Sequence, residues 1–171
     1  MQRSNLVLIG MPGAGKSTTG VLIAKEMGKT FVDVVLLIQE RESALLQEII
    51  NRVGFDEFLV IEESVLLDLD VDNAVIAPGG SVIYSEKAVE HLKKSGLLVY
   101  LKLDYGEIER RISNIASRGI VFGAGKGLPE LYEERTVLYE KYADLVIECS
   151  GLSIEDVTQE IVRSYNGFLL R

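Results

Sequence analysis

The sequence predicts an α/β fold in which helices cover both faces of a five-stranded parallel sheet. Two observations predict it. Short apolar runs of strand length alternate with longer segments of helical period, and a glycine-rich turn joins the first run to the first helix. The chain has 171 residues and 47% hydrophobic content, which suits one domain with one sizeable core. We therefore expect residues 1–171 to form a single domain.

Five runs rich in β-branched and leucine residues show little alternation, which is typical of strands buried on both faces. The predicted strands are residues 6–9, 30–32, 74–77, 97–101 and 145–148. Helical segments separate them, so each connection is a crossover and the strands run parallel.

Seven segments carry apolar residues at three- and four-residue spacing, as amphipathic helices do. The predicted helices are residues 17–27, 39–53, 56–67, 85–94, 105–117, 128–142 and 154–169. Residues 118–127 lie between two of these helices and hold four glycines and two cationic side chains. This composition predicts a mobile lid.

Residues 10–17 read Gly-Met-Pro-Gly-Ala-Gly-Lys-Ser and satisfy the phosphate-binding pattern G-x-x-x-x-G-K-[ST]. The glycines let backbone N–H groups face an anion, and the following helix adds its positive end. Lys16 is expected to reach the β- and γ-phosphates, and the Ser17 hydroxyl to coordinate Mg²⁺. The motif therefore predicts a P-loop NTPase or kinase fold. The predicted cofactors are ATP and Mg²⁺. The predicted cradle residues are Gly10, Met11, Pro12, Gly13, Ala14, Gly15, Lys16, Ser17 and Thr18.

Charge and cysteine usage limit the partners and the compartment. The formal charge of −8 disfavours binding to nucleic acid. Apolar runs are too short for a membrane span. Cys149 is the only cysteine and is expected to be a buried hydrophobe, which fits a reducing cytoplasm.

The phosphate pattern is shared by kinases, GTPases and ATPases, so other features must discriminate. The Asn-Lys-x-Asp motif expected of a GTPase does not occur in the sequence. A short chain with a glycine-rich lid favours a kinase, because a closing lid excludes water from the γ-phosphate. A nucleoside monophosphate kinase or another P-loop metabolite kinase remains an alternative, as does a nucleotide-binding regulatory module without turnover. No heptad pattern or exposed apolar helix indicates an oligomeric state.

Together, the motifs resemble the shikimate kinase family from about residue 6 to residue 145. Phe31-Val-Asp33 lies where that family has the first aspartate of a D-x-D motif, which implies that Asp33 faces the Mg²⁺ shell. Arg111 and Arg118 are seven residues apart, like the family's adenine-side arginine and lid arginine. The resemblance therefore adds Arg111 to the nucleotide site, makes Ser17 and Asp33 the metal ligands, and makes Lys16, Asp33 and Arg118 catalytic.

The acceptor side of the resemblance rests on three further segments. Residues 58–62, Phe-Leu-Val-Ile-Glu, match the family's F-R-x-x-E at both ends, and Gly79-Gly80 stands where the family has three glycines. Residues 134–139 resemble the family's E-R-x-P-x-Y, which implies a catalytic and acceptor role for Arg135. The implied substrate contacts are Asp33, Leu59, Gly79, Gly80 and Arg135.

Departures from the family pattern fall on the acceptor side. Val35 replaces the second aspartate of D-x-D, Leu59 replaces the arginine that holds the acceptor carboxylate, and Ser81 replaces the third glycine. A charge-assisted hydrogen bond is worth about 1.5–3 kcal/mol. Losing two such anchors weakens shikimate binding by roughly two to four powers of ten. We hypothesise a kinase whose acceptor is a different, less anionic or more apolar hydroxyl compound.

Three of these side chains also fit simpler structural roles. Asp33 suits a cap at the end of a strand, where aspartate is common. Arg135 lies among acidic residues, where surface pairing at i,i+4 is the alternative. Glu62 lies near other acids, and a solvated position fits it as well as a pocket. We favour the site roles for Asp33 and Arg135 and leave Glu62 open.

Overall fold

The computed structural model describes residues 4–113 and 125–169. Within these ranges the strands are β1 (Asn5–Ile9), β2 (Thr30–Asp33), β3 (Ala74–Ala77), β4 (Gly96–Lys102) and β5 (Leu145–Glu148). The α-helices are α1 (Lys16–Met27), α2 (Val34–Glu42), α3 (Leu46–Val53), α4 (Phe55–Leu67), α5 (Glu86–Ser95), α6 (Tyr105–Ser113), α7 (Leu128–Tyr142) and α8 (Ile154–Leu169). A short 3₁₀ helix spans Gly80–Tyr84.

All strand pairs are parallel, and the order across the sheet is β2-β3-β1-β4-β5. All five residues of β1 are buried, as the continuous apolar pattern predicts. The chain moves from β1 to one side of the sheet for β2 and β3, and to the other side for β4 and β5. Ligands of such sheets bind beyond the carboxyl ends of the strands at this reversal, which is the edge where the loop after β1 lies.

The first helix begins and ends where glycine permits a left-handed backbone. Gly15 precedes α1 with φ +91°, and Gly28 follows it with φ +65° and donates its N–H to the carbonyl of Ala24. These are conformations that a residue with a Cβ adopts at a cost. The turn before α1 is therefore encoded locally by the same glycines that form the predicted phosphate cradle.

The predicted helix over residues 39–53 is wrong, because two helices occupy that region. α2 already begins at Val34, where Asp33 Oδ1 accepts hydrogen bonds from the backbone N–H groups of Val35 (3.0 Å) and Leu36 (3.4 Å). It ends at Ser43, whose φ of +51° breaks the helical path before α3. The 3₁₀ helix after Gly79 was not predicted at all.

The core lies on both faces of the sheet and includes Cys149, which is 3% exposed. Burial raises the pKa of the Cys149 thiol to about 12, so the thiol stays protonated, as expected of a buried hydrophobe. No helix among residues 4–113 and 125–169 is long and apolar enough to cross a membrane.

Candidate active site

The loop between β1 and α1 forms a backbone cradle at the edge of the sheet. Gly10 has φ +151°, and a Cβ there would lie 2.9 Å from the carbonyl oxygen of Leu101. Gly13 and Gly15 also have positive φ, +79° and +91°. The motif glycines are thus required by backbone geometry and, at Gly10, by close packing against β4.

Lys16 lies inside this cradle. Its Nζ donates hydrogen bonds to the carbonyls of Gly10 (2.8 Å) and Met11 (3.0 Å). Burial is the main cause that lowers the pKa of Lys16 to about 8, and the charge of Arg135 lowers it further, whereas Asp33 raises it. The ammonium is therefore a desolvated charge that an anionic phosphate would stabilise.

This lowered pKa predicts how nucleotide binding depends on pH. Phosphate favours the charged ammonium and so raises the pKa of Lys16 in the complex. Affinity for Mg·ATP should be full below about pH 8 and fall by up to about tenfold per pH unit above it, with proton uptake on binding. Calorimetry at about pH 7 and pH 9, in buffers of different ionisation enthalpy, measures both effects.

Lys16→Arg is the matched control for that experiment, because a guanidinium stays charged throughout this range. Its affinity for Mg·ATP should be independent of pH. A wild-type affinity that stays constant from about pH 7 to pH 9 would show that Lys16 does not titrate in the cradle.

Ser17 and Asp33, the two predicted metal ligands, lie together. The Ser17 hydroxyl donates a 2.8 Å hydrogen bond to Asp33 Oδ2, while Oδ1 of the same carboxylate caps α2. Asp33 therefore caps α2, as the simpler structural role predicts, and also lines the cleft beside Ser17. One carboxylate oxygen fixes the start of α2, and the other faces the first turn of α1.

A cleft of about 430 Å³ runs from the cradle to the acceptor side. The polar side chains that line it are Lys16, Ser17, Thr18, Asp33, Glu62, Ser81 and Arg135. Apolar residues from the start of α2 to the loop after β3 also line the cleft; they are Val35, Leu36, Leu46, Phe58, Ala77 and Pro78. Gly79 and Gly80 line the same space. The structure thus brings the nucleotide side and the predicted acceptor side into one cavity.

Glu62 lies in this cleft and is 2% exposed, so the solvated position is wrong. Ser81 Oγ donates a 2.6 Å hydrogen bond to Oε2, and Oε1 has no partner within the described part of the chain. Burial raises the pKa of Glu62 to about 7, although Ser81, Arg135 and Lys16 all favour the carboxylate. A Cβ at Gly79 would lie 2.6 Å from Oε1, so a larger residue there would displace the Glu62 carboxylate.

Arg135 is also buried, at 1% exposure, so surface pairing within α7 is wrong for it. Its Nε donates a 3.2 Å hydrogen bond to the hydroxyl of Tyr84. A Cβ at Gly80 would come within 3.0 Å of Nη1 and 3.1 Å of the hydroxyl of Tyr139. Glycine at this position therefore lets the 3₁₀ helix approach the guanidinium closely.

Leu59, a predicted substrate contact, is not among the residues that line the main cleft. It is half-buried on α4 and lines a separate hollow of about 120 Å³ together with Glu63, Tyr84 and Ser85. Residues three apart share a helix face, so Leu59 precedes Glu62 by about one turn of α4. Its side chain lines this hollow rather than the main cleft.

The predicted adenine-side arginine lies against the cradle. Arg111 donates a 3.2 Å hydrogen bond from Nη1 to the carbonyl of Gly13, and Nη2 pairs with Glu107. Arg118 and most of the predicted lid, residues 118–127, lie outside the described residues. Lys126, the second cationic residue of that segment, pairs with Glu134 on α7.

The sequence did not assign a role at this site to Tyr84 or Phe58. Tyr84 touches Arg135, and Phe58 lines the cleft beside Glu62. Phe58 had a usable signal, since it opens the segment 58–62 that holds Glu62. Tyr84 had none, because its position depends on the unpredicted 3₁₀ helix.

A model of the shikimate kinase family matches residues 12–166. The chain belongs to the shikimate kinase family. A shikimate kinase of Thermodesulfovibrio yellowstonii is 35% identical over 164 residues, covering 94% of each chain. A shikimate kinase of Clostridium botulinum is 34% identical over 162 residues, covering 93% of this chain and 95% of the relative.

Solved structures agree with this membership. Shikimate kinase from Acinetobacter baumannii in complex with shikimate has a TM-score of 0.89 at 28% identity, and the match covers 98% of this chain and 95% of that one. Shikimate kinase from Aquifex aeolicus has a TM-score of 0.80 at 29% identity over 97% and 98%. The predicted P-loop kinase fold is confirmed, and the chain is an ATP-dependent small-molecule kinase with a hydroxyl acceptor.

Proposed function

We propose that this kinase phosphorylates a small hydroxyl compound that is more apolar than shikimate. The observation that carries the proposal is the acceptor wall of the cleft. Val35, Leu36, Leu46 and Phe58 line it, and Val35 stands where the family pattern has an aspartate. An apolar wall stabilises an apolar face of the acceptor, whereas unpaired hydroxyls against it would lose hydrogen bonds to water.

The phosphoryl donor side requires few residues. Lys16 neutralises charge on the β- and γ-phosphates, and the cradle N–H groups hold them in line with the acceptor. Arg135 binds an anionic group, either on the acceptor or on the transferred phosphoryl group. Asp33 accepts the proton of the acceptor hydroxyl, and loss of a second aspartate is tolerated because positioning and charge neutralisation dominate this reaction.

Ser17 and Asp33 fit a magnesium site. They offer one hydroxyl and one carboxylate oxygen 2.8 Å apart beside the cradle, and Mg²⁺ usually takes one or two such protein ligands, with water and phosphate oxygens completing the shell. Bound there, Mg²⁺ would neutralise the charge that develops on the phosphates. The cytoplasmic location, the absence of nucleic-acid partners and the catalytic role of Arg118 stay predictions.

Shikimate is the second candidate acceptor. Arg135 in the cleft favours it, because a guanidinium suits a carboxylate. The A. baumannii neighbour, whose structure contains shikimate, favours it as well.

ADP release from Mg·ATP, measured with shikimate and with a panel of small alcohols and nucleosides, decides between the candidates. Turnover with a more apolar alcohol, together with shikimate turnover at least about a hundredfold slower, supports the proposal. Shikimate turnover at an ordinary kinase rate, about 1–100 per second, would contradict it. Nucleotide binding without turnover of any acceptor would favour the regulatory module.

A further inference from the structure

A chain of hydrogen bonds leads away from the cleft through Arg135. Its Nε donates to the Tyr84 hydroxyl at 3.2 Å, and the Tyr84 hydroxyl donates to Glu134 Oε1 at 2.6 Å. Lys126 donates to the other oxygen of Glu134. Four side chains from the 3₁₀ helix, from α7 and from the segment before α7 are thus connected in series.

The direction of these bonds is fixed by charge. Hydrogen bonds from Lys126 and Tyr84 lower the pKa of Glu134, so Glu134 is an ionised carboxylate that only accepts. The Tyr84 proton must then point at Glu134, which leaves a lone pair of the same oxygen for Arg135. Burial, with Glu134 beside it, raises the pKa of Tyr84, so the phenol keeps that proton.

Packing holds the guanidinium in the same place. The Arg135 Cζ lies 5.3 Å from the centroid of the Tyr84 ring, an arrangement in which the ring face attracts a cation. Nη1 lies next to Gly80, which lines the cleft. Nε therefore donates its hydrogen bond to Tyr84, while Nη1 lies at the wall of the cavity.

We propose that Tyr84, oriented by Glu134, is a positioning residue that holds the fork of Arg135 at the angle needed to bind a carboxylate in the cleft. Arginine binds carboxylates through two parallel N–H bonds, so its affinity depends on the orientation of the plane. Tyr84 does not line the main cleft and acts only through Arg135. The inference rests on the proposed anion-binding role of Arg135.

Binding of shikimate, used as a carboxylate-bearing probe, tests this role without requiring turnover. Calorimetry or NMR titration measures the dissociation constant for shikimate in the presence of Mg·ADP. The dissociation constant for Mg·ADP is measured in a separate titration. The variants are Tyr84→Phe, Arg135→Lys and the double change. Tyr132→Phe is the matched control. Tyr132 lies on α7 and, like Tyr84, donates one hydrogen bond from its hydroxyl, to the carbonyl of Leu103 at 2.7 Å.

Tyr84→Phe should weaken shikimate binding about tenfold and leave Mg·ADP binding within about twofold. Tyr132→Phe should change neither constant. In the Arg135→Lys background, where the planar fork is gone, Tyr84→Phe should have no further effect, because a residue that acts through another is not additive with it.

Three results would overturn the inference: equal losses of shikimate and Mg·ADP affinity in Tyr84→Phe, additive losses in the double change, or a shikimate affinity that Tyr84→Phe leaves within about twofold of wild type. Because binding replaces turnover, a wrong proposal about the phosphorylated acceptor would leave these constants readable and would appear only in the ADP-release panel.

Discussion

Replacing Lys16 by alanine should lower kcat for phosphoryl transfer by about 10³ or more while the protein remains folded. The side chain is held in the cradle by the carbonyls of Gly10 and Met11, so its charge is fixed before the nucleotide arrives. Such preorganised charge stabilises the transition state without reorganisation during the reaction. ADP release under saturating Mg·ATP and acceptor measures the loss.

Stability should respond differently from activity in this variant. Burial lowers the pKa of Lys16, so the folded state carries a desolvated charge, and its removal offsets the two lost hydrogen bonds. Thermal unfolding should therefore shift by only a few degrees.

Lys25→Ala on the exposed side of the same helix is the matched control, with kcat expected within about twofold of wild type. A fall of less than about tenfold in Lys16→Ala would mean that the cradle N–H groups alone carry the phosphate charge.

The nucleotide side of the site could be predicted because the residues that form it are consecutive in the sequence. Gly10 and Gly15 require positive φ, and Lys16 follows directly, so the spacing specifies both backbone and charge. The positions of the strands could also be predicted, because strands buried on both faces of a sheet are continuously apolar. The predicted strands 74–77 and 145–148 match β3 and β5 at both ends.

The acceptor side was less predictable because it is assembled from residues distant in sequence. The start of α2 depends on a side-chain cap by Asp33, and its apolar first turn, Val34-Val35, has no helical period of its own. Its end at Ser43 depends on a left-handed residue that is neither glycine nor asparagine. Sequence spacing therefore placed the helix too late.

The burial of two charged side chains could not be predicted from the sequence either. Arg135 and Glu62 both occur in acidic helices, and the sequence around each is typical of a solvated face. Their burial follows from tertiary contacts, the first with Tyr84 on the 3₁₀ helix and the second with Ser81. Helical periodicity cannot report such contacts, because it describes only one helix at a time.

Introducing Val35→Asp together with Leu59→Arg should raise kcat/KM for shikimate by about 10²–10⁴. The first change places a carboxylate on the cleft wall, where it can accept hydrogen bonds from hydroxyls of the acceptor. The second places a guanidinium three residues before Glu62, on the same face of α4, where Oε1 has no partner within the described part of the chain. Steady-state ADP release with shikimate measures the gain.

Two controls separate these effects from general changes in charge and shape. Val35→Asn, used in place of Val35→Asp, introduces a side chain of nearly the same shape without the charge. It should give less than about a tenth of the gain in kcat/KM for shikimate. Val60→Arg adds the same cation one residue later, at a position 59% exposed, and should leave kcat/KM unchanged because adjacent residues lie on different faces of a helix.

A wild-type protein that already turns over shikimate efficiently, with no gain from the double change, would mean that Arg135 alone holds the acceptor carboxylate. The apolar wall formed by Val35 and Phe58 would then pack against the ring carbons of shikimate rather than select another alcohol. A gain confined to Leu59→Arg would instead assign specificity to the pair with Glu62, because only that change supplies a partner for its buried Oε1.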